Sequence, residues 1–233
     1  MTKMSFWDHL EELRKRSLHT LILILILTCF VFYLYDELFV YIRDMILPTG
    51  ITLIVITPFE ALFARIKFSI ALATIIALPF ILYELYKFLS PIFSKKQGKK
   101  IYLFLLFFLV LFFLGLMFGL FVLIPLTFKF LLLFAYPIAQ PLLSLDSVID
   151  VVILLVLGSA VCFQIPIVMM IMTALDIASP EMFAEKRSYF ILIIAIITAA
   201  ITPDPTGITM LLFLAPLLLL YEFGILITRK LKI

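Results

Sequence analysis

Charged residues are scarce in this sequence of 233 residues: they make up 14% of the chain, whereas hydrophobic residues make up 65%. A soluble globular protein has about 25% charged and roughly 45–50% apolar residues. The mean hydropathy of +1.27 points the same way. The composition therefore excludes a soluble globular protein and predicts a chain whose solvent is the lipid bilayer.

Cysteine is also rare. Cys29 and Cys162 each lie inside an apolar run, and the sequence has no CxxC motif or Cys/His cluster. A structural disulfide or a metal site is therefore not expected, and we predict no cofactor and no nucleic-acid partner. A small-residue cleavage site is missing after the first apolar run, where Tyr33-Leu34-Tyr35-Asp36 follows, so we predict no cleavable signal peptide.

Ionisable residues are missing from the depth of the apolar runs. An intramembrane protease needs an activated serine or paired aspartates there, but both histidines, His9 and His19, lie near the N-terminus. We therefore predict that the chain is not an enzyme. A small-molecule secondary transporter remains the alternative function, since Pro79 and Pro166 interrupt apolar runs. Against it, the two halves of the chain do not resemble each other.

Long apolar runs dominate what is present. A helix that crosses the hydrocarbon needs about 20 mostly apolar residues. We predict an all-α membrane protein with six transmembrane helices, the last two of them short. The predicted spans are residues 18–35, 68–88, 101–126, 151–175, 189–201 and 208–227.

The fifth run is unusually short. About 13 residues separate Arg187 from the Thr202-Pro203-Asp204-Pro205 turn, which gives a helix of roughly 20 Å. Runs of this length are often re-entrant or interfacial. Because basic residues flank the outer ends of the fifth and sixth runs, we predict a short transmembrane hairpin that thins the bilayer.

Basic residues set the orientation. With both termini on one side of the membrane, that side holds 14 of the 18 lysines and arginines. The positive-inside rule then predicts that both termini are cytoplasmic, in a cell inner membrane. Residues 5–16 are predicted to form a short amphipathic helix on that surface, with Ser5 as its cap. The outer segments 36–67 and 127–150 are predicted to form short helices.

Two features leave alternatives open. The basic loop 89–100 is explained by orientation alone or by a docking surface that works with the N-terminal helix. Gln164 lies near the middle of the fourth run, two residues before Pro166. A polar side chain at that depth needs a partner. It either bonds a neighbouring helix of its own chain or faces a wet cavity and contacts a partner helix.

Several motifs resemble the TatC family. The N-terminal sequence His9-Leu10-Glu11-Glu12-Leu13-Arg14-Lys15-Arg16 is similar to the family's signature, and Phe88-Leu89-Ser90-Pro91 is similar to the start of its first cytoplasmic loop. Phe163-Gln164-Ile165-Pro166 resembles its fourth span. The resemblance extends along the whole chain, residues 1–233, as a single transmembrane domain.

The resemblance implies a non-enzymatic receptor, shaped as a concave, cupped bundle. TatC proteins bind twin-arginine signal peptides of folded precursors and associate with the single-span subunits TatA and TatB. Transport energy would come from the protonmotive force. The resemblance leaves homo-oligomerisation open.

The resemblance also implies a binding site. The family's N-terminal acid falls at Glu12, and its loop acid falls at Gln97, which should weaken the pairing with an arginine. Glu11, Phe88 and Pro91 are expected to support the site. The family's intramembrane glutamate falls at Gln164, our candidate for docking a partner transmembrane helix. Natural variation and a Glu→Gln substitution both fit the two glutamines.

Overall fold

The protein is almost entirely helical. The computed structural model describes residues 6–47, 52–89, 95–135, 141–203 and 207–231. The α-helices within these residues are α1 (Phe6–Tyr33), α2 (Tyr35–Ile46), α3 (Glu60–Leu89), α4 (Lys95–Phe118), α5 (Ile124–Ala135), α6 (Leu145–Cys162), α7 (Ile165–Ala174), α8 (Pro180–Glu185), α9 (Arg187–Ile201) and α10 (Ile208–Leu231). A π-helical turn, Gly119–Leu123, joins α4 to α5, and two short strands are β1 (Thr52–Ile54) and β2 (Leu142–Ser144).

Five helical segments of the described chain are long and apolar enough to cross a membrane. They are Leu10–Tyr33, Glu60–Phe88, Tyr102–Phe134, Leu145–Ala174 and Ile208–Lys230. Helix α9 is also apolar but has 15 residues. It stands where the sequence predicts the short fifth span. Length and composition thus make this a multi-pass membrane protein.

The predicted separation of an interfacial helix from the first span is wrong. Helix α1 runs without a break over 28 residues. Residues 10–17 are rich in Leu, Glu, Arg and Lys, which are strong helix formers, and no Gly or Pro interrupts them. The amphipathic start therefore continues directly into the apolar run. Ser5, the predicted cap, lies outside the described residues.

The outer segment 36–67 is only partly a set of short helices. Helix α2 fits that prediction, but β1 follows it and α3 already begins at Glu60, eight residues before the predicted span. The backbone N–H of Glu60 donates to the Thr57 carbonyl at 3.1 Å, and the Thr57 N–H donates to the Glu60 carboxylate at 3.3 Å. The second bond is the acidic half of a capping box, and the two bonds together fix the start of α3.

The two strands form a small parallel sheet that the sequence does not predict. Thr52 lies opposite Leu142, and Ile54 lies opposite Ser144. Ser144 also caps α6, since its Oγ accepts from the Ser147 N–H at 3.4 Å. The second outer segment, 127–150, therefore contains a strand and a capped helix start.

The described residues divide into two compact units. The first comprises Met1–Tyr41 with Thr57–Leu109, and the second comprises Ile42–Ile56 with Val110–Ile233. The single domain predicted over residues 1–233 remains a prediction.

Helices α1 and α3 form the main packing of the first unit, and they run antiparallel. Arg16 in the first half of α1 contacts Glu84 near the end of α3, whereas Arg65 near the start of α3 contacts Phe32 at the end of α1. Small side chains spaced four residues apart along α3, Ser69, Ala73 and Ala77, are fully or almost fully buried. Small residues let membrane helices approach closely, so this stripe accounts for the tight pair.

Close helix contact also builds the second unit. A Cβ added to Gly115 would lie 2.6 Å from the Ala160 Cα, and one added to Gly119 would lie 2.9 Å from the Val156 Cα. The Ser159 hydroxyl, fully buried, donates to the Gly115 carbonyl at 2.8 Å. The end of α4 and the π-helical turn thus pack backbone to backbone against α6.

A second contact region of this unit joins α8, α9 and α10. The ring centroids of Phe183 and Phe190 are 5.2 Å apart, and those of Phe190 and Tyr221 are 5.7 Å apart. The Tyr221 hydroxyl, which is buried, donates to the Phe183 carbonyl at 2.7 Å. This bond satisfies a polar group that would be costly to bury unpaired.

Candidate functional site

Arg16 joins two acids from two helices. Its Nε and Nη2 donate to the Glu12 Oε1 at 3.0 and 2.5 Å, and its Nη1 donates to the Glu84 Oε2 at 2.7 Å. Glu12, Arg16 and Glu84 are here called the acid–arginine cluster. It is a set of side chains that already holds a guanidinium.

The cluster is largely shielded from solvent. The exposed fraction of the side chain is 17% for Glu12, 20% for Arg16 and 11% for Glu84. The Glu12 Oε2 is buried and accepts no hydrogen bond from the part of the chain that the structure describes. Two carboxylates and one guanidinium leave one negative charge in excess. This excess charge favours the binding of a cationic group, because charge-assisted hydrogen bonds are strong in such partly buried surroundings.

Local geometry and tertiary packing each place one acid. Glu12 and Arg16 are four residues apart on α1, and side chains at that spacing lie on one face of a helix. Glu84 lies in the last two turns of α3, which the antiparallel packing brings beside the start of α1. The cluster therefore depends on the α1–α3 pair.

The structure places some of the predicted site residues and not others. Glu11 is exposed on α1, next to Glu12. Phe88 is half-buried on α3, one turn beyond Glu84. Gln97 belongs to α4, but its side chain is outside the described set, and Pro91 lies outside the described residues.

Arg16 and Glu84 are the members of the cluster that the sequence did not assign to a site. The Glu12/Arg16 spacing of four residues on a helix is a signal for an ion pair, and it could have been used. Glu84 carries no such local signal, because its partner is 68 positions away in the chain.

Gln164 lies in the second unit at a break between α6 and α7. Helix α6 ends at Cys162 and α7 begins at Ile165, as expected from a proline that removes the donor for the Cys162 carbonyl. The Gln164 side chain is buried, and its Nε2 donates to the Ala160 carbonyl at 3.2 Å. One of its polar contacts is thus made within its own chain.

Metal chemistry has no basis in the described residues. They contain no group of three His, Cys, Asp or Glu side chains placed to hold a metal ion. Cys29 is exposed and Cys162 is buried, and both are free thiols.

Comparison with known proteins agrees with the motifs. The family model described as "Sec-independent protein translocase protein (TatC)" matches residues 8–216. A protein named Sec-independent protein translocase protein TatC from Aquifex aeolicus is 38% identical, with 98% of each chain covered. A protein of the same name from Carboxydothermus hydrogenoformans is 30% identical, covering 98% of this chain and 94% of the relative.

A solved structure matches the fold as well. The crystal structure described as the twin arginine translocase receptor TatC superposes with a TM-score of 0.80 at 37% identity. The match covers 97% of this chain and all of that chain. The chain therefore belongs to the TatC family of Sec-independent protein translocase proteins.

Proposed function

We propose that this chain is the core receptor of a twin-arginine translocase and binds the twin-arginine signal peptides of folded precursors. The observation that carries the proposal is the acid–arginine cluster. It contains Glu12, the acid of the N-terminal family motif, and its two carboxylates accept hydrogen bonds from one guanidinium group. A guanidinium presents a planar fork to carboxylates, and the ammonium of lysine does not.

Glu12 is the main ligand for an arginine of the peptide in this proposal. Glu11 is exposed beside it and can add negative charge to the same surface. Phe88, Pro91 and Gln97 are proposed as further contacts, since the motif that begins with Phe88 at the end of α3 leads into the basic segment that includes Pro91 and Gln97. No catalytic group is involved, because TatC proteins are translocase components and not enzymes. The transporter alternative has no support from the family relationship.

Partner subunits and location complete the proposal. We place the chain in the cell inner membrane with six spans and both termini in the cytoplasm. It organises single-span TatA-like and TatB-like subunits, with Gln164 as the candidate docking point for a partner helix, and transport uses the protonmotive force. Gln164 is the candidate because it is a polar side chain at a helix break.

Peptide binding tests the receptor function directly. The purified protein in nanodiscs is titrated with a labelled signal peptide that carries two arginines, and with the same peptide carrying two lysines. We expect tighter binding of the arginine peptide than of the lysine peptide. Glu12→Ala should weaken the binding of the arginine peptide about tenfold or more, since a charge-assisted hydrogen bond contributes about 1.5–3 kcal/mol.

Two variants sharpen the test. Glu37→Ala removes an exposed glutamate of α2 and should leave both affinities unchanged. Gln97→Glu adds the loop acid of the family and should strengthen arginine binding several-fold. Equal binding of the two peptides to the wild type and to Gln97→Glu would contradict arginine recognition by this surface.

A further inference from the structure

The guanidinium of Arg16 binds the carboxylates of both Glu12 and Glu84. We propose that Glu84 is the second acid of the arginine site and that Arg16 is a resident guanidinium which the signal peptide must displace. The inference rests on the proposed function and adds two specificity-determining residues to it. In this proposal a signal peptide needs two arginines because their guanidinium groups must replace that of Arg16 at Glu12 and Glu84.

The geometry favours displacement over simple addition. The Glu12 Oε1 already accepts two N–H groups from Arg16, and the Oε2 is buried. A second guanidinium cannot reach Glu12 unless a side chain moves. Arg16 is the most exposed of the three side chains, at 20%, and its long stem lets the charged head turn to water or to lipid phosphates.

The charge count explains why one arginine is not enough. A peptide with a single arginine would replace one guanidinium by another at the same carboxylates, so little binding free energy is gained. A peptide with two arginines gives Glu12 and Glu84 a guanidinium each and removes the negative charge left in excess. The gain in binding free energy therefore comes from the second arginine of the peptide.

Glu84 replaces the missing loop acid in this arrangement. Position 97 carries glutamine, which has no charge to pair with a guanidinium. Glu84 is ionisable, 11% exposed, and 2.7 Å from the guanidinium that it shares with Glu12. The spacing of the two carboxylates is thus already suited to arginine.

The test removes the resident guanidinium. Peptides with Arg-Arg, Arg-Lys and Lys-Lys pairs are titrated against wild type, Arg16→Gln and Arg16→Lys in nanodiscs. We expect Arg16→Gln to bind Arg-Arg about tenfold more tightly, as expected when a competing charge-assisted bond is lost. Its preference for Arg-Arg over Arg-Lys should shrink, because one arginine now finds a vacant site.

Arg16→Lys and Lys15→Gln separate competition from other effects. Lysine keeps the charge but lacks the fork, so Arg16→Lys should show a smaller gain with a stable fold. Lys15→Gln changes net charge equally on the same helix, at an exposed position, and should leave the Arg-Arg to Arg-Lys ratio unchanged. Glu84→Gln should lower Arg-Arg binding more than Lys-Lys binding.

The outcomes are distinguishable. One outcome is that the wild type prefers Arg-Arg while Arg16→Gln and Arg16→Lys bind that peptide no more tightly than the wild type does. This result would overturn the displacement proposal and leave the receptor function standing. Such a result would make Arg16 a residue that positions Glu12. No preference for Arg-Arg in wild type or in either Arg16 variant would overturn both proposals. Tighter binding of Arg-Arg by Arg16→Gln than by the wild type, with a smaller preference for Arg-Arg over Arg-Lys, supports both proposals.

Discussion

At the scale of single residues, Arg65 fixes the end of α1 that lies opposite the acid–arginine cluster. Its Nε and Nη2 donate to the Phe32 carbonyl at 2.9 and 2.7 Å, and its guanidinium lies 4.6 Å from the centre of the Phe32 ring. The carbonyls of the last helical turn have no partner within their own helix. Arg65 thus satisfies one of them from α3 and holds the two helices in register.

Arg65→Gln should therefore destabilise the protein without changing its ligand preference. We expect a loss of about 1–3 kcal/mol, the cost of leaving a shielded acceptor without its charged donor. Thermal unfolding in detergent measures it. The ratio of Arg-Arg to Lys-Lys peptide affinity should stay at the wild-type value, since Arg65 lies at the far end of the helix pair.

Arg43→Gln is the matched control for this substitution. Arg43 pairs with the adjacent Asp44 at the surface, where the two side chains are 41% and 62% exposed. Exposed ion pairs contribute about 0–1 kcal/mol, so the unfolding temperature should hardly move. Equal losses in the two variants would show that Arg65 acts only as a surface charge.

The sequence predicted one member of the cluster and missed the others for a physical reason. Glu12 stands in a motif of adjacent residues, so it can be recognised without tertiary information. The role of Glu84 depends on the end of α3 reaching the start of α1, which no local pattern encodes. Arg16 is one of the basic residues that predict the orientation, and their distribution along the chain gives no information about a partner.

At the scale of helices, hydropathy locates the apolar part of each element and not its ends. Hydropathy predicts that the second span begins at Phe68, yet α3 begins at Glu60. The intervening turns contain Arg65 and Lys67, polar residues that a helix tolerates but hydrocarbon does not. The capping sequence Thr57-Pro58-Phe59-Glu60 was the available signal for the true start.

Helix contact in the second unit depends on Gly115. We expect Gly115→Ala to destabilise the protein by about 1–3 kcal/mol, a typical cost of overpacking. The new methyl group would lie 2.6 Å from a backbone atom, the Ala160 Cα, and 2.8 Å from the Ser159 carbonyl oxygen. Backbone cannot turn aside as a side chain does, so α4 and α6 must separate. Thermal unfolding in detergent gives the measurement.

Gly158→Ala provides the comparison for Gly115→Ala. A Cβ at Gly158 would meet the Ile201 Cγ2 at 2.7 Å, and this contact is with a side chain that can change rotamer. We expect a clearly smaller loss than for Gly115→Ala. A loss as large as that of Gly115→Ala would contradict the importance of backbone contact.

At the scale of the whole molecule, the distribution of basic residues predicts one orientation. Cysteines introduced at Lys15 and Lys230, in a variant that carries Cys29→Ser, should react with an impermeant maleimide only after the cells are permeabilised. A cysteine at Asp44, an exposed position, should react in intact cells. The expectation follows from the positive-inside rule. Labelling of the cysteines at positions 230 and 44 from the same side of the membrane would contradict the predicted topology.

The parallel sheet has a consequence for the order of assembly during synthesis. Thr52 pairs with Leu142, so β1 leaves the ribosome ninety positions before its partner strand. At a synthesis rate of about 10 residues per second this interval is roughly nine seconds. Helices α3, α4 and α5 are all translated within it. The sheet is therefore a late contact, and a nascent chain that stops before residue 142 leaves the edge of β1 open to other chains.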